Sequence, residues 1–137
     1  MTYYKVVCER EDGKLTSVIP FPGNTFCLQY KPGIWRRLPK ELRKLFQPMF
    51  VFTSLKAARH MVDSLPQVSL QIWECEIKRN KSNRRLINNV TDLRLVLEGK
   101  MPRARALTRS RRLFGADVEY ANSVRLKRCR LKRESQR

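Results

Sequence analysis

The sequence predicts a small α+β domain: a mostly antiparallel sheet with one or two packed helices and a basic C-terminal extension. Three observations predict it. Residues 2–9 (TYYKVVCE), 68–79 (VSLQIWECEIKR) and 118–126 (VEYANSVRL) alternate with the period of a strand and are rich in β-branched and aromatic residues. Residues 54–65 (SLKAARHMVDSL) instead place Leu55, Ala58, Met61, Val62 and Leu65 on one helical face. Asp12-Gly13 is a hairpin signal, so the first strand should turn straight back into residues 15–19 (LTSVI).

The remaining elements follow in order. Two prolines and a glycine make residues 20–24 (PFPGN) a loop, and residues 25–30 (TFCLQY) read as a third strand. Lys31-Pro32-Gly33 breaks that strand: Pro32 presets φ, and Gly33 tolerates a positive φ. Tyr30 and Trp35 are then expected to pack on the sheet. Residues 39–48 (PKELRKLFQP) fit a short helix, with Pro39 in its first turn and Pro48 ending it. The continuous apolar run Met49–Phe52 reads as a central buried strand, and Thr53 or Ser54 caps the next helix.

Within residues 68–79 the apolar phase slips, from Val68, Leu70 and Ile72 to Trp73, Cys75 and Ile77. A bulge near Ile72-Trp73, or burial on both faces, would explain it. Residues 80–89 form a polar basic loop. Residues 91–100 (TDLRLVLEGK) fit a helix capped by Thr91 and ended at Gly99, or a strand. Residues 102–115 read as a basic helix, 118–126 as a closing strand and 127–137 as a mobile charged tail. The domain is therefore placed at residues 1–126 and the tail at 127–137.

Charge narrows the partner. Among 137 residues, 30 Lys and Arg face 12 Asp and Glu, for a net charge of +18. Self-repulsion on that scale opposes folding, and a polyanion partner is its natural counterweight. Cys8, Cys27, Cys75 and Cys129 form no C-x-x-C pair, and His60 is the only histidine, so no metal or cofactor is expected. Cys8 and Cys75 are expected to face the core as free thiols. No apolar run reaches the ~18 residues of a membrane span. The N-terminus lacks the charged start and apolar centre of a signal peptide. The expected location is the cytoplasm, that of the host if the protein is viral.

Several motifs occur in a familiar order: "YYKVV" with "DGKLTS", "YKPGIW" with a following "LP", "MFVFTSLKAARHMV", "IWECEI" and "YANSVRL". In this order the chain resembles a group of small phage, viral and prokaryotic proteins of uncharacterised function. The resemblance implies a compact α+β fold and a viral or mobile-element origin, and brings no activity with it. A second order, glycine-x-aromatic, then a strand and a Ser/Thr-capped helix, is similar to the core of ADP-ribosyltransferase-like folds. Those enzymes need a histidine or arginine on an early strand, a strand serine or tyrosine, and a late glutamate. Here His60 lies in a predicted helix, and Glu74 and Glu76 lie on a predicted strand without a recognisable nicotinamide pocket.

Three basic groups are candidate contacts. The C-terminal set is Arg103, Arg105, Arg109, Arg111, Arg112, Arg125, Lys127, Arg128, Arg130, Lys132 and Arg133; arginine's planar fork suits phosphate oxygens. The loop set is Arg79, Lys81, Arg84 and Arg85. Near the turn stand Arg36 and Arg37, where Tyr30 or Trp35 would offer a stacking face. Lys40, Arg43 and Lys44 could extend that third group. No Ser/His/Asp set, paired-carboxylate motif or glycine-rich phosphate loop occurs, so no catalytic residue is assigned. The function expected is non-catalytic nucleic-acid binding, to RNA or DNA, by an accessory protein. The alternatives are a module that binds and inhibits a host protein through its acidic face, and an ADP-ribosyltransferase-like enzyme.

Overall fold

The computed structural model describes residues 1–18, 28–40, 49–80, 87, 90–109 and 117–136, with the side chains of residues 90, 108 and 109 left out. Residues 41–48 of the expected helix at 39–48, the loop at 20–24, half of the strand at 25–30, most of the loop at 80–89 and the second half of the basic helix fall outside them. The described strands are β1 (Tyr3–Glu9), β2 (Leu15–Ser17), β3 (Gln29–Tyr30), β4 (Trp35–Arg37), β5 (Met49–Phe52), β6 (Leu70–Arg79) and β7 (Val118–Arg133). The helices are α1 (Leu55–Asp63), α2 (Val90–Leu97) and α3 (Arg103–Arg109). The fold is α+β, with all seven strands in one antiparallel sheet.

Local chemistry sets the connections. The β1–β2 hairpin closes with the Gly13 N–H donating to the Arg10 carbonyl at 2.9 Å, and Asp12 Oδ1 accepting from the Lys14 N–H at 3.0 Å. Between β3 and β4 the Ile34 N–H donates to the Lys31 carbonyl at 3.1 Å, and Gly33 sits at φ +81°. Proline followed by a positive-φ glycine is the type II turn expected there. The Gly33 N–H also reaches the Leu126 carbonyl at 2.8 Å, which holds the turn against β7.

Ser54 caps α1, its Oγ accepting from the Ala57 N–H at 3.1 Å. Residues 91–97 are helical, and the chain leaves α2 through Gly99 at φ +72°. There the Lys100 N–H bonds the Leu95 carbonyl and the Gly99 N–H bonds that of Val96, the paired bonds of a Schellman ending. Thr91 lies inside the helix and does not cap it, because α2 already begins at Val90.

The sheet closes on itself. β6 pairs with β1 along one edge and β7 along the other, while β5 pairs with β7 over four residues and meets β1 at Tyr4–Phe52. One side of this ring of strands holds a core that includes Val7, Tyr30, Leu38, Met49, Val51, Cys75, Val124 and Leu126. The other side packs Val6, Phe52, Leu70 and Ile72 against Ala58, Met61 and Val62 of α1. Ile87, Leu93, Met101 and Ala106 form a separate small core around α2 and α3.

This two-sided burial explains the phase slip in β6. Leu70 and Ile72 lie under α1, whereas Cys75, Trp73 and Ile77 pack into the other core. The strand keeps its alternation and changes which side is covered. The register irregularity does fall between Ile72 and Trp73, but the extra residue, Arg130, is on β7. Two further shifts leave Lys127 and Asn122 unpaired with β6 in the same way.

The residues expected as a mobile tail are largely strand. β7 runs to Arg133, and its 126–133 segment pairs with Leu70–Cys75 of β6. Beyond it, Ser135 N–H bonds Ser69 Oγ and Gln136 N–H bonds the Pro66 carbonyl.

A lysine lies in the core. Lys5 is 5% exposed, donates from Nζ to the Phe50 carbonyl at 2.8 Å, and lies 4.6 Å from the Phe50 ring centroid. Burial pulls its pKa from the ordinary 10.5 down to about 8. The unfolded chain therefore holds this proton where the native chain has lost it, and stability rises with pH between those values. Burial pushes the Cys75 thiol from 9.0 up to about 12, which acts in the opposite sense above pH 9. Unfolding free energy is expected to rise by about 1 kcal/mol from pH 7 to pH 9. Urea midpoints at the two pH values check this, and Lys5→Met should abolish the rise.

Candidate nucleic-acid interface

Helix α1 covers only part of its side of the sheet. Along β6 the residues that follow Leu70 and Ile72 on that side are Glu74, Glu76 and Lys78, and their neighbours on β7 and β4 are polar apart from Trp35. The register aligns Trp35, Arg125 and Glu76 in one row and Arg37, Ser123 and Lys78 in the next. Glu74 faces Arg128, and the extra residues Lys127 and Arg130 add two more cations. Arg37, Lys78, Arg125, Lys127, Arg128 and Arg130 thus share one open face with two carboxylates.

Each carboxylate holds two cations. Glu74 Oε1 accepts from Arg130 at 2.5 Å and from Arg128 at 3.1 Å. Glu76 accepts from Arg125 at 2.5 Å through Oε2 and pairs with Lys127 at 3.1 Å through Oε1. In each pair one cation sits at the β6 register position, Arg128 or Arg125, and the other is a bulge residue, Arg130 or Lys127. The Arg130 hydrogen bond, followed by the charge of Arg128, holds Glu74 below the usual carboxylate range; Lys127 and then Arg125 do so for Glu76.

Trp35 stands at the edge of this face. Lys78 Nζ lies 4.9 Å and Arg125 Cζ 5.0 Å from its ring centroid, yet the side chain stays 36% exposed. Trp35 thus lies against side chains of β6 and β7 while staying partly exposed, whereas Tyr30 is buried. Ile34, next to Trp35, is also exposed.

The other expected contacts are dispersed. Arg36 alternates to the opposite side, in register with the buried Val124, and its Nε is buried without a partner among the described residues. Lys132 is exposed, in register with the buried Gln71 and off this face. Arg133 lies beneath α1, donating to the carbonyls of Val62, Leu65 and Val68, the last at 2.6 Å. Neither Arg36 nor Arg133 belongs to the open face: strand alternation turns one inward, and the helix end takes up the other.

Arg103 and Arg105 sit on α3, half-buried and exposed respectively, and Arg109 ends that helix. Lys81, Arg84, Arg85, Arg111 and Arg112 lie outside the described residues, as do Arg43 and Lys44. Arg79 pairs with Glu119 at 2.7 Å. His60 is exposed on α1, well away in sequence and element from Glu74 and Glu76.

Sequence reasoning missed Lys78 and the role of the glutamates. The signal was present: Glu74, Glu76 and Lys78 recur every second residue, which puts three charges on one side of a strand.

Among the described residues no helix is long and apolar enough to cross a membrane, and no His/Cys/Asp/Glu group could hold a metal ion. Cys8, Cys75 and Cys129 are not joined in disulfides, and of these Cys75 is buried and Cys8 half-buried. Comparison with protein-family models, curated proteins and solved structures finds no match to this chain.

Proposed function

We propose that the chain is a non-catalytic nucleic-acid-binding accessory protein that grips the phosphate backbone through the open face of β4, β7 and β6. The observation that carries this reading is the convergence of Arg128 and Arg130 on a single anionic oxygen, Glu74 Oε1, within a face of six cations and two carboxylates. An oxygen of a phosphate has the charge and acceptor geometry that these two forks already satisfy. Backbone contacts of this kind give affinity with little reading of base sequence.

A salt titration tests it, with single-stranded DNA, duplex DNA and RNA as separate ligands. Affinity should fall with a log–log slope of about −3 for a single strand, the slope for roughly four neutralised phosphates. Arg128→Glu with Arg130→Glu should remove most of the binding. Undetectable affinity for all three at low salt would sink the reading, and would leave the same charges to steer an acidic protein partner.

A further inference from the structure

We infer that the nucleic acid taken by this face is an unpaired strand, with a base stacked on the Trp35 indole; this rests on the nucleic-acid reading above. Three observations combine. Trp35 and Ile34 are adjacent, large, apolar and exposed, on a surface otherwise given to charge. Exposed apolar groups set in a charged rim mark contact sites. Second, Trp35 keeps its exposed surface with both Lys78 and Arg125 already at its ring, so the internal cation–π contacts do not use up the indole. Third, Arg37 lies two residues along β4, about 7 Å away on the same side of the strand. A strand of nucleic acid running along this edge would meet the aromatic and then the exposed cation of Arg37.

The choice of an unpaired strand follows from what an aromatic ring can reach. Within a duplex each base is covered above and below by its neighbours, and only its edges open to the grooves. An indole held against a sheet can gain stacking energy only from a base whose face is free. That is how sheet-borne aromatics bind single strands without strong sequence preference. Arg125 links the two contacts: it lies at the Trp35 ring and is in register with it, so the stacking and phosphate elements share one row.

The test is fluorescence anisotropy with labelled twelve-nucleotide oligo(dT), oligo(U) and a DNA duplex of equal length, on the full chain, Trp35→Ala and Trp35→Phe. Both single strands should bind more tightly than the duplex. Trp35→Ala should weaken them about tenfold and leave the salt slope and the duplex affinity unchanged; Trp35→Phe should restore most of the loss. In a Trp73→Phe background, where Trp35 is the only tryptophan, oligo(dT) should quench the emission. The inference is overturned if Trp35→Ala leaves single-strand affinity intact, or if the duplex binds as tightly as the single strands. In either case phosphate binding survives with its salt slope. If none of the three ligands binds, the underlying reading fails and this inference with it.

Discussion

Replacing Arg133 by alanine should cost about 3 kcal/mol of stability, more than a single change to any arginine of the open face. The reason is the position of its guanidinium. It donates to the carbonyls of Val62, Leu65 and Val68, where α1 ends and the chain turns towards β6. Helix ends leave their last carbonyls without intrahelical donors, and a cation there also opposes the negative end of the helix dipole. A charge-assisted hydrogen bond contributes about 1.5–3 kcal/mol, and three share this one group. The buried, unpartnered Nε of Arg133 offsets part of that gain.

Urea unfolding checks the value, with the midpoint falling and the slope unchanged. Arg133→Lys should recover less than half, because an ammonium has no planar fork to reach three carbonyls at once. The variant also separates structure from binding. At temperatures where it is folded, Arg133→Ala should bind nucleic acid as the unaltered chain does. A variant of full stability with lost affinity would show that the guanidinium faces the ligand instead.

Arg133 also shows where the sequence is hard to read. The elements with local signatures are legible. Asp12-Gly13 closes a hairpin, Pro32-Gly33 makes a type II turn, Ser54 caps α1, and Gly99 follows α2. Each is decided within four or five residues, by chemistry that tertiary context does not override. β7 fails this test. Strand recognition relies on strict alternation, and the bulges at Asn122, Lys127 and Arg130 shift its phase three times. Cys129 and Leu131, beyond Leu126, then look like isolated apolar residues in a charged run, so residues 127–137 read as a tail.

The face that makes the candidate site is hidden for the same reason. Its cations come from β4, β6 and β7, and two of them, Lys127 and Arg130, are the bulge residues themselves. No window of sequence contains the site. What decides it is how far α1 reaches across the sheet: Ile72 is covered, and Glu74, two residues on, is not.

Those glutamates should restrain binding rather than assist it, so Glu74→Gln with Glu76→Gln is expected to raise nucleic-acid affinity tenfold or more at low salt. Arg125, Lys127, Arg128 and Arg130 are all paired with one or other carboxylate. The paired cations keep both carboxylates below their usual range, so they are ionised at neutral pH and compete with any arriving phosphate. Glutamine keeps the size and an acceptor oxygen but removes the charge. Each cation released to phosphate should add about 0.7 to the magnitude of the salt slope on a single strand, so the gain shrinks as salt rises. Surface ion pairs contribute little to folding, and the thermal midpoint should barely move. Weaker binding by the double variant would reverse the assignment. The carboxylates would then be the struts that hold the arginine forks in place, their ordering effect outweighing the charge they cancel.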